Sequence, residues 1–505
     1  MKKLYLRILS FVVLISVFML YSCSDEDLNL TLDPNSPFTS ATAISPVGNV
    51  CEEVRGVWIA SVYNINFPSA PDLPEDKLKE ELKGIVDTVL SHNMNTIFFQ
   101  VHPASDALYN SDIFPVSEYL YSDGILHFDP LGYMSELCRE NGISLFAWIN
   151  PLRVSVSPAE TRADAKTQLP AGSPGLDDDL CVFYGDGKLY LNCGNEDVLT
   201  LVANAVDEIM SRYDVDGIVF DDYFYPYPVA DNSGVIYEFD DNTYYDASNK
   251  KMSLDDWRRN NVNNLIELCY RTVKSHGSDK KFGVAPFGIW QNNDGTNGGS
   301  DTSGMEAYND LYCDASAWIK GKYVDFISPQ LYWKCTDSAA PFTELAKFWN
   351  SLTDGTEVEL IISHGLYRYD NDWDSPSGEL LRQINAARDH ISYRGSMLYG
   401  YAALEKNASG ASNDTLSAFS DQVYYYSPSD IPKDILFSSF DDAVLEGDSV
   451  IFSGMSNPDY PLVVNGQNVT RKRGGYFELV LTLQDGENIF TFTCGDALKK
   501  VRIIK

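Results

Sequence analysis

Asp221 and Asp222 are adjacent carboxylates at the end of a short apolar run, Asp216-Gly-Ile-Val-Phe-Asp-Asp-Tyr-Phe-Tyr-Pro226. The run from Ile218 to Phe220 is β-branched and aromatic, entered through Asp-Gly and closed by Pro226 and Pro228. This is the pattern of a buried parallel strand with both carboxylates at its C-terminal tip. Successive side chains on a pleated strand face opposite ways, so with Ile218 and Phe220 outward, Val219 and Asp221 point inward and Asp222 sits at the rim. Carboxylates in such a place cost free energy unless a substrate, a metal or hydrogen bonds engage them. Two so close do not both ionise cheaply; one keeps its proton to higher pH, which suits acid–base chemistry near neutrality. The alternative is a pair of solvated aspartates in a turn, and the residues at the neighbouring strand ends weigh against it.

Strand-like segments at 56–61, 96–101, 144–149, 217–221, 282–286, 326–331, 360–363 and 397–401 alternate with helix-like segments such as 75–92, 130–141, 196–213, 253–275 and 378–390. Eight such units predict an α/β protein, a (β/α)8 TIM barrel spanning 51–430. The region is longer than the roughly 250 residues of a typical barrel. The largest excesses follow the third strand (151–195) and the fourth (226–252), on the face where long loops build a cleft.

The C-terminal strand ends collect the candidate site. The second supplies Gln100, His102 and Asp106, the third Trp148, Asn150 and Arg153, and the fourth Asp221, Asp222, Tyr223 and Tyr225. The fifth supplies Phe287 and Trp290, the sixth Gln330, Tyr332 and Trp333, the seventh His364 and Tyr367, and the eighth ends near Glu405. A lone histidine or tryptophan among these is more often structural. Together, aromatic faces edged by amides and carboxylates make a carbohydrate-binding surface. Arg153 needs an anionic partner, either an internal carboxylate such as Asp221 or an acidic group on the glycan.

Beyond about residue 430 short strands at 444–453, 461–464, 475–483, 488–494 and 498–504 are separated by Asn-Gly, Gly-Gly and Asp-Gly turns. They predict a small antiparallel β-sandwich over 431–505, immunoglobulin-like only in the loose sense because it lacks a Cys…Trp…Cys core. At the other end, Lys2, Lys3 and Arg7 precede an apolar run from Ile8 to Tyr21 that closes at Ser22-Cys23. Residues 1–23 read as a secretory signal, and Leu20-Tyr-Ser-Cys23 resembles a lipobox with Cys23 as the lipidated residue. Residues 24–50 are the tether, and Ser24-Asp-Glu-Asp27 resembles an acidic signal for surface export. The expected location is the outer membrane, facing the periplasm or the exterior, with membrane contact through the lipid alone.

A formal charge of −34 repels nucleic acid and anionic lipid and favours neutral ligands such as sugars. The nine cysteines have no zinc spacing; Cys181 and Cys193 flank a short loop, leaving both a pair and two free thiols open. Asp370-Asn-Asp-Trp-Asp374 has alternating acids but lacks the glycine and bidentate glutamate of a calcium loop, so no metal and no cofactor is expected.

Glu53-Val-Arg-Gly-Val-Trp58, Phe99-Gln-Val-His-Pro103, Ala147-Trp-Ile-Asn-Pro151, the Asp-Asp-Tyr-Phe-Tyr-Pro segment, Trp257-Arg-Arg259, Pro286-Phe-Gly-Ile-Trp290 and Ser328-Pro-Gln-Leu-Tyr-Trp333 together resemble the glycosyl-hydrolase-like family 10 barrels. The resemblance covers about residues 52 to 405. It implies a bacterial, envelope-associated barrel, and the activity known within the family is cleavage of peptidoglycan glycan strands stripped of stem peptides. Mechanism does not transfer directly. The seventh strand ends Ser363-His-Gly-Leu366 without a carboxylate, and aligning a chitinase-type motif puts Tyr223 where the acid belongs. The aspartate pair resembles that of family 84 N-acetylglucosaminidases, which implies that Asp221 holds the substrate's 2-acetamido group and Asp222 is the general acid; Glu405 is the other candidate carboxylate. The rival reading is a barrel that binds glycan without cutting it. If Cys23 is acylated, the wild-type protein partitions with membranes and Cys23→Ala does not mature by the lipoprotein route, as fractionation and mass spectrometry of the N-terminus would show; a soluble, unlipidated wild type overturns the anchor.

Overall fold

The computed structural model describes residues 28–31, 50–248, 250–370, 378–420, 423–426, 435–437, 449–457, 460–471 and 475–504. Cys23, the signal, most of the tether and residues 371–374 of the acidic loop lie outside them. Eight parallel strands close into a barrel: β1 (Val54–Ile59), β2 (Thr96–His102), β3 (Ser144–Ile149), β4 (Gly217–Phe220), β5 (Lys281–Val284), β6 (Phe326–Ile327), β7 (Glu359–Gly365) and β8 (Tyr393–Tyr399), each hydrogen-bonded to its sequence neighbours, with β8 returning to β1. The expected TIM barrel is therefore present.

The helices between the strands start and stop where local chemistry dictates. Helix α1 (Pro130–Asn141) begins with the Asp129 carboxylate accepting from Gly132 N–H, has proline at its first position, and ends at Gly142 with φ 66°. Helix α2 (Glu196–Arg212) is capped by Asn195 and buries Val198, Val202, Val206 and Ile209 along one stripe. Helix α3 (Leu254–Ser275) is capped by Ser253, whose hydroxyl accepts from Asp256 N–H. In β2 every residue is buried, as expected of a strand covered on both faces.

Inside the barrel Trp58, Phe98, Phe146, Trp148, Val219, Phe326, Ile361 and Met397 form one buried cluster. Val219 belongs to it, as strand alternation requires, so the chain two residues on delivers Asp221 to the same interior just above the core. The packing is close: a Cβ on Gly283 would fall 2.1 Å from the Phe326 ring. Strand β6 is shorter than expected because Pro329 has no N–H for the ladder. Pairing resumes at Gln330, which bridges Phe287 on one side and Ser363 on the other, and this pins the Gln330 side chain above the interior. Strand β8 starts four residues before its apolar stretch, since Arg394 and Gly395 obscure the pattern.

A second compact unit takes in the chain before Glu53 and from Val423 onward, so the barrel unit is 53–422. Within that second unit one sheet contains Leu462–Val464, Gln467–Asn468, Glu487–Cys494 and Ala497–Ile504, and another contains Leu436–Phe437, Ser449–Met455 and Tyr476–Thr482. Phe437, Phe452, Phe477 and Phe492 from the two sheets share one core. Leu28–Thr31, placed in the tether by composition, is a strand paired in parallel with Val501–Ile504. Val50–Glu52 pairs with Tyr424–Tyr426 in this unit too. Cys181 and Cys193 are both free, the Cys181 thiol donating to the Gly175 and Asp177 carbonyls.

The opening motif of the barrel has a structural task. Glu53 is fully buried, with Arg55 Nε at 2.8 Å and Arg388 Nε and Nη2 at 2.8 and 2.7 Å from its carboxylate. Arg55 also donates to the Phe419 carbonyl at 3.0 Å. Glu53→Ala leaves two guanidinium groups facing a void and should destabilise by about 3–5 kcal/mol, the usual cost of breaking a buried ion pair. Urea unfolding of the two proteins would measure it, and an unchanged midpoint would remove Glu53 from the barrel's closure.

Candidate active site

A cavity of about 330 Å³ opens at the C-terminal ends of the strands, floored by Trp58 and Trp148. Trp58 and Trp148 meet edge to face at 4.9 Å, and the Trp58 indole N–H donates to Ser363 Oγ at 3.1 Å. Asp221 and Asp222 both line the cavity and are 4 % and 2 % exposed.

Asp221 is held from behind. Its Oδ2 accepts from Trp148 Nε1 at 3.2 Å and from the Asn150 amide. Asn150 can only present its amino group to Asp221, because its Oδ1 already accepts from Gln100 Nε2 and from Arg153 Nη2. Gln100 is oriented in turn by the Ser61 and Val62 N–H groups, 2.9 and 3.0 Å from its Oε1. Arg153 donates through Nε to the Pro103 carbonyl at 2.8 Å, and its guanidinium lies 5.1 Å from the centre of the Tyr223 ring. Asp222 is held from the rim: Oδ2 accepts from the Tyr227 hydroxyl and Oδ1 from Gln330 Nε2 at 3.0 Å. Gln330 Nε2 also donates to the Ala285 carbonyl at 2.9 Å, so its amide has one orientation.

Burial is the main force raising both carboxyls above the ordinary aspartate range; for Asp221 the neighbouring Asp222 charge adds to it, and the Arg153 charge opposes it for both. Such a pair titrates as a unit that keeps one proton over an extended range. Two aromatic walls flank it. On one side Tyr227, Phe287 and Trp333 pack edge to face, Phe287 and Trp333 at 5.5 Å. On the other Tyr332 stacks on Tyr399 at 5.8 Å and Tyr367 meets both edge-on. Arg368 completes the lining and donates to the Tyr332 carbonyl at 2.6 Å. Among the described residues no cluster of three or more His, Cys, Asp or Glu could hold a metal.

Of the residues expected at the site, Trp148, Asp221, Asp222, Tyr223, Phe287, Gln330, Tyr332, Trp333 and Tyr367 converge on the cavity. Gln100, Asn150 and Arg153 stand behind it as the relay to Asp221. Among the described contacts Arg153 has no direct carboxylate partner; its guanidinium donates to Asn150 and to the Pro103 carbonyl instead. Six further expectations do not match the geometry. Glu405 is exposed on a separate groove with Lys77, Glu80 and Lys406, because the chain turns outward after β8 into Tyr401–Glu405. Tyr225 is buried between Phe239 and Tyr312 under Arg258, where it anchors the long loop after β4. Trp290 stacks on Phe348, outside the cavity. His102 packs on Phe114, with burial lowering its pKa to about 3. His364 is held by Gln383 and Ser396, its pKa lowered to about 4, so it is a neutral core histidine. Asp106 faces a smaller pocket with Glu118 and Tyr119. Trp58, Tyr227, Arg368 and Tyr399 line the cavity without having been singled out as site residues. For Tyr227 the Pro-Tyr-Pro sequence was the available signal, since two prolines stiffen its backbone.

An eightfold parallel barrel with a buried carboxylate pair between aromatic walls at its C-terminal face defines a protein of the (β/α)8 barrel class with its cleft at the usual face. More specifically, the chain belongs to the glycosyl hydrolase-like 10 family, whose model matches residues 53–373. It is 34% identical over 375 residues to the glycosyl hydrolase YngK of Bacillus subtilis (strain 168), covering 72% of this chain and 71% of that protein. It is 32% identical over 435 residues to the glycosyl hydrolase DigH of Escherichia coli (strain K12), covering 80% of this chain and 95% of that one. Among solved structures, the PgaB (BpsB) glycoside hydrolase domain from Bordetella bronchiseptica aligns with 72% of this chain and 98% of its own at 14% identity, with a TM-score of 0.45. Because Glu405 lies outside the cavity, Glu405→Gln should leave any glycan turnover that wild type shows within about twofold, the range of an ordinary surface substitution. A loss comparable to that of an aspartate variant, in the same assay, would return Glu405 to the site.

Proposed function

We propose that the protein is a glycoside hydrolase that cuts N-acetylhexosamine-containing glycan, in particular peptidoglycan strands, by a substrate-assisted route through Asp221 and Asp222. The observation that carries this reading is the pair itself: two buried carboxylates side by side, in a cavity whose walls suit sugar faces, in a chain of a glycosyl hydrolase-like family. In the first half-reaction the Asp222 carboxyl passes its proton to the glycosidic oxygen as that oxygen's bond to C1 breaks. The substrate's acetamido oxygen forms the new bond to C1, with its N–H held by the Asp221 carboxylate. In the second, water adds to C1, the acetamido oxygen leaves, and the water's proton returns to Asp222. An acetamido N–H docking on Asp221 stabilises that carboxylate as an anion, which puts the pair's remaining proton on Asp222. The volume of about 330 Å³ is compatible with a sugar unit at the aspartates.

A non-catalytic glycan-binding barrel is the second reading. It is favoured by the absence of a carboxylate from the end of β7, whose last residues are Ser363, His364 and Gly365. In the proposed arrangement the chain acts as a lipid-anchored outer-membrane protein, in the periplasm or at the surface, and the second unit is an immunoglobulin-like accessory sandwich. Incubating the signal-free protein with peptide-free peptidoglycan strands and weighing the products by mass spectrometry tests the activity. Wild type should release shorter strands, and Asp222→Asn should cut about 10²- to 10⁴-fold more slowly while still binding them. Binding without any shortened product from wild type would establish the second reading.

A further inference from the structure

The hydrogen bonds on Asp222 point beyond the two aspartates. Its carboxyl is engaged on both oxygens, by the Tyr227 hydroxyl on Oδ2 and by Gln330 Nε2 on Oδ1. Tyr227 is half-buried and lines the cavity, five residues along the same loop from Asp222. Pro226 and Pro228 bracket it and restrict its backbone, and its ring is wedged 5.6 Å from Tyr223 and 6.4 Å from Phe287. The hydroxyl is thus held on Asp222 by backbone and ring together, before any ligand arrives.

Resting on the hydrolase reading above, we propose that Tyr227 is a positioning residue that, with Gln330, steadies the Asp222 carboxylate as the carboxyl gives its proton to the leaving oxygen. Donors fixed on the oxygens where negative charge develops stabilise the transition state without reorganising. They also counter the burial that raises the Asp222 carboxyl, as the direction of both contributions requires. The other titratable or charged groups near Asp222 are Asp221, Arg153 from the loop after β3, Tyr223 on its own loop, Tyr332 after β6, Tyr399 on β8, the buried Cys313, and Arg368 in the cavity lining. None of them donates a hydrogen bond to it among the described contacts.

Tyr227→Phe keeps the ring and removes only the hydroxyl, so folding and sugar stacking should persist. Loss of a hydrogen bond to a charged group corresponds to a fall in kcat of roughly ten- to a hundredfold. The anion is then less stable relative to the acid, so the basic limb of the kcat–pH profile moves up, by about one to two units. KM for peptide-free strands should change little. Gln330→Met, which removes the other donor, should move the same limb in the same direction, with circular dichroism confirming that both variants fold. An unmoved limb in a folded, active Tyr227→Phe protein overturns the proposal, as does a higher KM with unchanged kcat, which would make Tyr227 a sugar platform alone. If wild type itself cuts nothing, the hydrolase reading fails instead; if Asp222→Asn is inactive while Tyr227→Phe matches wild type at every pH, only the present inference fails.

Discussion

Burying two carboxylates side by side at the end of one strand is costly, and the architecture around β4 is organised by that cost. An isolated buried carboxylate would abandon its charge, and a neighbouring one raises the penalty further. The structure answers with four donors from three directions. Trp148 and Asn150 approach Asp221 from the third strand, Tyr227 reaches Asp222 from the fourth strand's own loop, and Gln330 comes from beyond the sixth. Each donor is itself fixed by another contact, so the pair is surrounded by dipoles that cannot turn away.

The support for Asp221 extends three residues deep. Ser61 and Val62 orient Gln100, Gln100 and Arg153 occupy the carbonyl of Asn150, and Asn150 is left with one possible use for its amino group. The guanidinium in this relay, that of Arg153, acts through an amide and makes no hydrogen bond to the carboxylate among the described contacts. That placement tempers the aspartate without locking it in an ion pair, which would hold its pKa low and its oxygens occupied. The larger scaffold follows the same logic of fixed supports: Tyr225, Phe239 and the Arg258–Asp241 pair secure the long loop that carries Tyr227.

The sequence alone determined a good deal. Eight apolar strands with capped helices between them dictate a closed parallel barrel, because strands so continuous in Val, Ile and Phe must be covered on both faces. The period of two residues along β4 put Val219 in the interior and Asp221 above it. Aromatic residues at the strand ends marked a sugar-type cleft, and the spacing of motifs from Glu53 to Trp333 marked the family.

Only the tertiary structure decided which of those strand-end residues meet. A residue's position along a strand states its height in the barrel, but its exposure depends on where the following loop runs and on what packs over it. After β8 the chain turns outward and carries Glu405 away; after β4 it turns back and brings Tyr227 onto Asp222. His102, His364, Trp290 and Tyr225 sit at the correct heights yet face neighbouring helices and loops. Leu28–Thr31 likewise became a strand only because Val501–Ile504 offered it an edge. Local sequence sets backbone periodicity and caps; convergence of side chains is a property of three-dimensional packing, which no stretch of the chain contains by itself.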